Sequence, residues 1–585
     1  MIKIGRIFFA CVIVLFAEII SAQAMNDYNW ILGYPPNEPD EYFGGVKFDF
    51  NHDFASPEYF NTICPTLNTA VLSSNKGRLL AYSNGCSIYN SAHQYMEEGD
   101  TIAYGYIWEN YCEDLGYPGN QNHLFLPWPG DTSKAILIYT RVSQDHETYN
   151  YLYAIVEFNA AHPLGVVTKK DMSFLSTGIT GFLTATKHSN GRDWWIIIPE
   201  HNSNRFFINL MEPNGISVVD TQSIGESWGN YNHSGQAIFS PDGSKYIRFN
   251  PWKGLDIFDF DRCSGMLSNP IESGPFTDPV KTAGGVACSM DSRYLFVSNL
   301  TDIYQFDLFD LDILSTKTLV GQYDGYSNPF PTNFFQMVSS PDGKIYIFST
   351  NSIIDLHVIN FPELKGDSCN LIQHAVQLPA YISFGSPNLP YFRLGPDDGS
   401  FCDTLGINNL PIADFRYEID SLDSNLVTFR NLSYFNPKEY YWTFDDNTNT
   451  TLKFPLPHIY SQDGEYNVCL TVSNEYGNNT FCRSVTIDNI SSSFEIDKGQ
   501  KIQISPNPTD GIINIIIPDI NQKSIQLKLM DINGKLLISN HLVNGENAID
   551  LRSSPYNIPQ GLIVYSIYSE TKILGLGKFV FIHSN

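Results

Sequence analysis

The sequence predicts an all-β protein, and both its composition and its local pattern support this fold class. Aromatic residues are abundant, with 39 Phe, 34 Tyr and 8 Trp among 585 residues, whereas charged residues make up only 17% of the chain. This composition excludes a disordered chain, a collagen and a coiled coil. Polar turns followed by alternating apolar strands recur along the chain, which is the pattern of antiparallel sheets.

The net charge excludes one class of partner. Lysine and arginine total 35 residues against 62 aspartates and glutamates, which gives a formal net charge of -27 at pH 7. A surface of this sign repels nucleic-acid phosphates and anionic lipid headgroups. We therefore expect no nucleic-acid partner.

The first 24 residues have the pattern of a secretory signal peptide. Lys3 and Arg6 precede an apolar run, and Ala22-Gln23-Ala24 offers the small residues that signal peptidase accepts. A membrane anchor is the alternative, but the uncharged run Ile7–Ala17 has 11 residues, and a spanning helix needs about 20. We expect a cleaved signal at residues 1–24 and a mature chain that does not span a membrane.

A repeated unit occupies residues 26–398. Each copy begins with a polar turn and continues into an alternating aromatic strand. The clearest copies are SPDGSKYIRFN (240–250), SMDSRYLFVSN (289–299) and SPDGKIYIFST (340–350), and weaker copies start at residues 73, 127 and 186. Equivalent turn positions lie 49 to 60 residues apart, a period that suits one four-stranded sheet per copy and predicts a β-propeller rather than a string of separate sandwiches.

The repeats predict the number of blades. Six copies are countable, and a seventh blade is closed jointly by residues 28–50 and about 378–395. We expect about seven blades, with six or eight as alternatives.

The turn strings resemble the SPDG-type repeats of bacterial surface and periplasmic propellers, in the broad class that includes lactonase-like and Tol-associated folds. This resemblance covers about 370 residues. It implies a fold and no particular function, because propellers serve binding, hydrolytic and redox roles alike.

Residues 411–490 change to short strands between polar turns, the pattern of a β-sandwich. The strings WTFDD, PHIY, GEY and LTVSN follow one another within them. This order resembles the PKD-type immunoglobulin-like domain, although Asp445 and Asn447 stand where that family has two turn glycines. The resemblance implies a sandwich core that includes Trp442, Phe444, His458, Tyr460 and Tyr466.

Removal of the signal leaves nine cysteines, and an oxidising destination favours disulfides among them. No CxxC pair occurs, so cysteines give no support for a zinc site. One disulfide follows from strand register. If residues 466–472 and 480–487 form a hairpin about the midpoint of the turn 474–477, Cys469 faces Cys482; the alternative is two buried thiols.

Residues 503–585 begin with ISPNPTDGIINIIIP and continue as short strands, with Asn533-Gly534 as a two-residue hairpin turn. They resemble the C-terminal sorting domain of type IX secretion cargo, and the matching positions are Pro506, Asn507, Pro508, Gly511, Asp531, Gly534, Gly561, Tyr565 and Lys578. The resemblance implies export by the type IX secretion machinery, removal of the tail and attachment at the cell surface. A further small adhesive sandwich is the alternative.

The sequence offers no catalytic residue. GxSxG, HExxH and P-loop strings are absent, and no GxGxxG lies in a strand-turn-helix context. The repeated Asp242, Asp291 and Asp342 are explained by turn chemistry, because aspartate accepts hydrogen bonds from its own turn. His188 has no evident partner, which favours a structural role.

Three loops rich in aromatic and acidic residues, at 41–45, 106–120 and 225–235, suit a rim that binds a glycan or a peptide. Tyrosine and tryptophan stack on the apolar faces of sugars, while asparagine and aspartate bond the hydroxyls. Ordinary surface loops explain these segments equally well.

Calcium is the one ion that the sequence favours, and no other cofactor is expected. Asp445, Asp446 and Asn447, or Asp307, Asp310 and Asp312, offer oxygen ligands at short spacing. Neither cluster has a DxDxDG loop, so no metal ligand is assigned.

The sequence thus predicts a signal peptide (1–24), a β-propeller (26–398), a PKD-type sandwich (411–490) and a β-sandwich sorting domain (503–585). We expect a secreted or cell-surface protein whose propeller binds an extracellular glycan or protein and whose PKD-type domain is a spacer. The alternative is a hydrolase or lyase that acts on polysaccharide or peptide from the propeller's central funnel. The sequence favours binding over catalysis.

Overall fold

The protein is represented by a computed structural model. It describes residues 24–581 apart from residues 37–41, 53–54, 65–67, 145–148, 178–180, 201, 229–234, 277–280, 421–422, 488–502, 507–508, 510, 518–524, 531–535, 554–560 and 570–572. The predicted signal peptide therefore lies outside the described residues, except for Ala24.

The chain divides into two compact units. The first contains Met1–Tyr417, Phe429–Leu456 and Val468–Arg483. The second contains Glu418–Thr428, Pro457–Asn467 and Ser484–Asn585. The domain boundaries stated above stay a prediction.

Seven antiparallel sheets, numbered as blades 1–7, follow one another between residues 29 and 382, and consecutive strands pair within each. Blades 1 and 2 have three strands each: β1 (Asn29–Gly33), β2 (Gly45–Asp49), β3 (Pro57–Phe60); β4 (Ala70–Ser73), β5 (Leu79–Ser83), β6 (Ile88–Asn90). Helix α1 (Tyr106–Tyr111) lies between blades 2 and 3.

Blades 3–7 have four strands each, and the first strand of each is the innermost. Blade 3 contains β7 (His123–Pro127), β8 (Lys134–Val142), β9 (Tyr149–Glu157) and β10 (Val166–Thr177), and blade 4 contains β11 (Thr184–Lys187), β12 (Trp194–Pro199), β13 (Ser203–Glu212) and β14 (Gly215–Trp228). Blade 5 contains β15 (Gln236–Phe239), β16 (Lys245–Asn250), β17 (Gly254–Phe260) and β18 (Leu267–Glu272), and blade 6 contains β19 (Val286–Cys288), β20 (Tyr294–Ser298), β21 (Asp302–Asp307) and β22 (Thr318–Gln322). Blade 7 contains β23 (Met337–Ser339), β24 (Ile345–Ile347), β25 (Ile353–Ile359) and β26 (Leu371–Ile382). Short 3-10 helices occupy Ile313–Thr316 and Gly366–Cys369.

Blade 1 packs against blade 7. The Trp30 ring of β1 meets the Tyr346 ring of β24 edge-on, with centroids 5.3 Å apart, and the Phe48 ring of β2 lies 5.8 Å from the Tyr346 ring. All three side chains belong to one buried cluster, and the apolar area that it removes from water stabilises the contact between first and last blade. The sheets form a ring of seven blades, which confirms the predicted β-propeller.

The repeated turns join the first strand of a blade to the second. In blade 5, Oδ1 of Asp242 accepts hydrogen bonds from Oγ of Ser240 at 2.6 Å and from the backbone N of Ser244 at 3.0 Å. Gly243 has φ of +71°, a conformation that glycine adopts without strain. The aspartate carboxylate is thus engaged by its own turn, as predicted for Asp242, Asp291 and Asp342.

Residues 383–396, which we call the channel segment, run from the end of blade 7 into the centre of the ring. The backbone N of Asn388 donates to O of Thr69 at 2.8 Å, and its side-chain Nδ2 donates to O of His123 at 3.0 Å and to O of Leu183 at 2.9 Å. Asn388 therefore bonds the inner edges of blades 2 and 3 and the residue before blade 4.

A buried ion pair fixes the other end of the channel segment. Nη1 of Arg393 lies 2.8 Å from both carboxylate oxygens of Asp27, and Nη2 lies 2.9 Å from Oδ2. The cavity that remains at the centre of the ring has a volume of about 60 Å³, which holds a few waters at most. The central funnel is filled by the chain itself.

The PKD-type region forms two sheets of a sandwich, ordered β27–β28–β31 and β30–β29–β32–β33. The strands are β27 (Phe415–Ile419), β28 (Leu426–Asn431), β29 (Glu439–Thr443), β30 (Asn449–Thr450), β31 (His458–Ile459), β32 (Gly464–Asn474) and β33 (Gly477–Ile487). Trp442 packs edge-on against Phe415, with ring centroids 5.1 Å apart.

Burial differs among the five predicted core residues of this region. Trp442, Phe444 and Tyr460 are buried, whereas His458 and Tyr466 are half-buried. Asp445 and Asn447 have φ of +62° and +69°, so both adopt the left-handed conformation that glycine accepts most readily.

Three disulfides join Cys86 to Cys112, Cys263 to Cys402 and Cys469 to Cys482. The last is the pair that strand register predicts, because β32 and β33 are joined by the two residues Glu475 and Tyr476. Cys64, Cys288 and Cys369 are buried.

The C-terminal strands form two sheets, ordered β34–β35–β38 and β37–β36–β39–β40. The strands are β34 (Gln503–Ser505), β35 (Ile512–Ile517), β36 (Ile525–Met530), β37 (Leu536–Leu542), β38 (Gly545–Asp550), β39 (Gly561–Ser569) and β40 (Ile573–Phe581), with a 3-10 helix at Leu551–Ser553. Alternate residues of β35 enter a core shared by both sheets. The predicted C-terminal β-sandwich is confirmed.

The predicted sorting residues are distributed over this sandwich. Pro506 and Lys578 are exposed, Gly511 is buried, Tyr565 is half-buried and Gly561 begins β39. Asn507, Pro508, Asp531 and Gly534 lie outside the described residues. No helix in the described part of the chain has the length and apolarity needed to cross a membrane.

Candidate functional site

The two ends of the ring carry different connections. Because the strands of each blade are antiparallel, all the turns between first and second strands of blades 2–7 lie at one end, which we call the turn face. Gly77, Gly243 and Gly343 mark three of these turns. The last strand of each four-stranded blade ends at the opposite face, because its four strands are antiparallel.

A pocket of about 550 Å³ opens at the turn face. Its wall comes from residues before β1, from the turns of blades 2–4, from residues at and after the end of the channel segment, and from two loops of the PKD-type region. We call it the aromatic pocket, and the residues that define it are Trp128, Lys187, Arg192, Trp194, Phe435 and Tyr476. Its volume lies in the range usual for small-molecule sites.

Lys187 ends β11 and pairs across the sheet with Trp194 of β12. This register places Nζ of Lys187 3.9 Å from the centroid of the Trp194 ring, and Nζ donates a hydrogen bond to O of Arg192 at 3.2 Å. Burial lowers the pKa of Lys187 to about 7; the charge of Asp193 opposes this shift and that of Arg262 adds to it. Lys187 is thus a desolvated amine held against an indole ring.

Arg192 is already paired within its own turn. Its Nε and Nη2 lie 2.7 Å and 3.0 Å from the two carboxylate oxygens of Asp193, and Asp193 also accepts from Nδ2 of Asn190 at 2.7 Å. This bidentate pair fixes the turn of blade 4. No aspartate or glutamate is found among the described residues that line the pocket.

The two indoles are held differently. Trp194 is fully buried, its ring meets that of Phe392 edge-on at 5.7 Å, and its Nε1 has no hydrogen-bond partner among the described residues. Trp128 is half-buried, and its Nε1 donates to O of Pro213 at 3.3 Å. Trp128 therefore presents ring surface to the pocket from a fixed position.

The PKD-type region contributes the tip of its β32–β33 hairpin. Tyr476 stands at this tip with 37% of its surface exposed. Nδ2 of Asn474 donates to O of Asn409 at 2.6 Å, and a Cβ on Gly477 would lie 2.7 Å from Cδ1 of Leu410. Close contact with residues 409–410 thus fixes the hairpin beside the pocket.

The aromatic loops that the sequence singles out do not form this site. Of the predicted loop 225–235, residues 225–228 are the end of β14, and residues 229–234 lie outside the described residues. Trp228 is buried against the Arg248 guanidinium, 3.9 Å from the ring centroid, and Nε1 of Trp108 donates to O of Cys86 at 3.2 Å. None of the described residues of the three loops lines the aromatic pocket.

His188 serves its own turn, because its Nδ1 accepts from the backbone N of Asn190 at 2.9 Å. Burial lowers its pKa.

The predicted calcium clusters use their carboxylates locally. Oδ2 of Asp307 lies 3.0 Å from Nη2 of Arg293, and Oδ1 of Asp446 accepts from the backbone N of Thr448 at 3.0 Å. Across the described ranges, no three His, Cys, Asp or Glu side chains are grouped to hold a metal ion.

The sequence did carry a signal for the aromatic pocket. In the weaker repeat copies, Trp128 and Lys187 stand at the edge of the turn, where the clear copies have serine and apolar residues. Phe435 and Tyr476 had no such signal, because only the folded chain brings their loops to blades 3 and 4.

Two family models match the chain. Residues 408–488 match the PKD domain, and residues 503–579 match the secretion system C-terminal sorting domain. No curated protein matches the sequence.

Solved structures with similar folds include three bacterial proteins. A putative 6-phosphogluconolactonase from Bacteroides uniformis is 14% identical with a TM-score of 0.37, over 60% of this chain and 98% of its own. The periplasmic gluconolactonase of Pseudomonas aeruginosa is 13% identical with a TM-score of 0.36, over 62% and 97%. A quinonprotein alcohol dehydrogenase-like protein from Bacteroides thetaiotaomicron is 8% identical with a TM-score of 0.30, over 61% and 75%.

Likeness at this level carries no statement about activity. The type of protein is shown by the ring of blades and by the two segments that match family models. The chain is a β-propeller protein that carries a PKD domain and a type IX secretion C-terminal sorting domain.

Proposed function

We propose that this protein, which the type IX secretion system exports to the outer cell surface, binds an extracellular glycan in the aromatic pocket. The propeller and the tip of the PKD hairpin would act together as a non-catalytic binding module. The observation that carries the proposal is a pocket of about 550 Å³ at which Trp128, Phe435 and Tyr476, all partly exposed, offer aromatic surface.

The chemistry of the wall suits a sugar. Indole and phenol rings offer flat apolar surface to the C–H faces of a pyranose, and polar groups at the rim bond its hydroxyls. Asn26, Asn75 and Asn408 line the same pocket and supply amide donors and acceptors. A protein partner, the other ligand class considered from sequence, needs a wider interface than this pocket offers.

Two observations favour binding over hydrolysis. Most glycoside hydrolases use a pair of carboxylates, and the described lining of the pocket has neither aspartate nor glutamate. The central funnel, where the enzyme alternative places its site, is occupied by the channel segment and leaves a cavity of about 60 Å³.

The test is calorimetric titration of the full mature chain with a panel of neutral and acidic oligosaccharides. We expect Trp128→Ala to weaken binding of the active panel members at least tenfold, because the variant loses the stacking surface. Phe309→Ala is the matched control, since Phe309 is 64% exposed and lies outside the pocket.

Two results would contradict this proposal. One is the absence of binding for every panel member. The other is unchanged affinity in the Trp128 variant, which would move the site elsewhere.

A further inference from the structure

We infer that the glycan held in the aromatic pocket is acidic, and that its carboxylate group pairs with Nζ of Lys187. This inference rests on the proposed function and narrows it to one class of sugar, the uronic acids.

The charge of the pocket differs from that of the chain. The sequence has a formal net charge of -27, yet the charged side chains among the described lining residues are Lys187 and Arg192, both cationic. A neutral sugar gains nothing from this arrangement. An anion that enters the pocket would meet these two cations, on a chain whose net charge repels it.

Lys187 is the cation that remains available. Asp193 holds Arg192 in a bidentate pair, whereas the polar contact of Lys187 Nζ is a neutral carbonyl, O of Arg192, at 3.2 Å. Within the described part of the chain, no carboxylate lies within ion-pair distance of Nζ. A ligand carboxylate would supply the missing counter-charge and a charge-assisted hydrogen bond.

The neighbours of Lys187 set the pH response. Burial lowers the pKa of Lys187 to about 7. The negative charge of Asp193 raises this pKa, and the positive charge of Arg262 lowers it further. His188, the next residue, has a pKa below its ordinary 6.5, so it stays neutral above pH 6.5.

Binding of a carboxylate requires Lys187 to be protonated. Affinity should therefore be highest below pH 7 and should fall about eightfold between pH 6.5 and pH 8.0, the loss expected when one group of pKa 7 must be charged. A neutral sugar should show no such change.

The experiment compares trisaccharides of galacturonic, glucuronic and mannuronic acid with the corresponding neutral hexose trisaccharides, on the full mature chain by calorimetry. We expect at least one acidic member to bind tenfold more tightly than its neutral counterpart at pH 6.5. Lys187→Met should reduce this preference to twofold or less. Lys76→Met, which removes an exposed lysine from the neighbouring turn outside the pocket, should leave it unchanged.

Lys187→Arg provides a second test that does not depend on loss of the cation. It keeps a fixed positive charge, so the acidic sugar should still be preferred while the pH dependence disappears. Thermal melting of each variant checks that it folds, and the pH profile of the unmodified chain tests the inference without any variant.

The possible results separate the two proposals. Equal affinity for acidic and neutral members, or a pH-independent affinity for the acidic member, overturns the inference. If binding then still depends on Trp128, the proposed glycan-binding function stands. If no member of either kind binds the unmodified chain, both proposals fail.

Discussion

The turns of blades 5–7 and those of blades 3 and 4 come from one repeat and bond their polar groups locally, but they differ in the side chains at the edge of the turn. In blades 5–7 the turn aspartates bond the serines and backbone of their own turn, as Asp242 does. In blade 4 the equivalent turn lies between Lys187 and Trp194. Both of these residues line the aromatic pocket. The first group stabilises the ring, and the second builds a concave surface.

This difference teaches where to look for a site in a repeat protein. A turn that matches the consensus has its hydrogen bonds satisfied within the repeat and has little left to offer a ligand. A turn that departs from the consensus places other side chains, such as Trp128 and Lys187, at its edge, where they face the aromatic pocket. The weakest copies of the repeat are therefore the informative ones.

The largest expected effect is on the buried ion pair of Arg393 and Asp27, which anchors the channel segment at the centre of the ring. Arg393→Met leaves Asp27 buried without its partner, which should lower the free energy of unfolding by about 3–5 kcal/mol. Urea unfolding of the variant measures this loss. Asp27→Asn combined with Arg393→Met should recover part of it. A loss below about 1 kcal/mol, the value of an exposed pair, would contradict the anchoring role.

Two glycine substitutions sharpen the comparison between the turns. Gly243 and Gly130 have φ of +71° and +77°, so alanine at either costs about 1–2 kcal/mol. A Cβ on Gly243 would lie 2.7 Å from Cδ of Arg262, whereas the closest atom to a Cβ on Gly130 is 3.7 Å away. Overlap should add about 1–3 kcal/mol at Gly243 only.

Denaturant unfolding of Gly243→Ala and Gly130→Ala compares the two directly. Equal losses of stability would mean that the turn of blade 5 is packed no more tightly than the turn that borders the aromatic pocket.

Acid should destabilise both groups of blades. Burial lowers the pKa of His123 in blade 3 and of His357 in blade 7 to about 4, whereas an unfolded histidine has a pKa near 6.5. The unfolded chain binds more protons between these values, so stability is full above pH 6.5 and falls as pH drops toward 4, by up to about 3 kcal/mol per histidine.

The slope of unfolding free energy against pH measures this effect. His123→Gln and His357→Gln should each flatten the slope between pH 6.5 and 4.5. An unchanged slope in either variant would show that the substituted histidine takes no part in acid sensitivity.

The smallest effect tests the turn aspartates themselves. Asp242→Ala and Asp342→Ala each remove hydrogen bonds within one turn and should cost about 1 kcal/mol. Glycan affinity should not change, because neither residue lines the aromatic pocket. A tenfold loss of affinity in either variant would place the turns of blades 5–7 in the site.

Features that depend on neighbouring residues were predictable from the sequence. The spacing of Gly243, Ser292 and Gly343 reports blade length directly, so about seven blades could be expected, with six and eight as alternatives. The pairing of Cys469 with Cys482 depends only on the two-residue turn between their strands.

Features that depend on distant contacts were not predictable in full. The sequence assigned residues 378–395 to the closure of the ring but not to its centre, because the hydrogen bond of Asn388 with Thr69 joins the two ends of the propeller. Likewise, the aromatic loops looked like a site, while Trp128 and Tyr476 meet only in the folded chain. The sequence shows which side chains can stack on or bond a ligand, but it does not show which of them lie close together in the fold.

The contact of blade 1 with blade 7 imposes an order of assembly on the protein. Strands β1–β3 emerge first during synthesis, but the surface on which they pack is complete only when β26 ends at Ile382. Contacts between such distant residues form slowly. The first blade therefore gains its packing surface only after the last blade has been synthesised, so its early strands wait for the late ones.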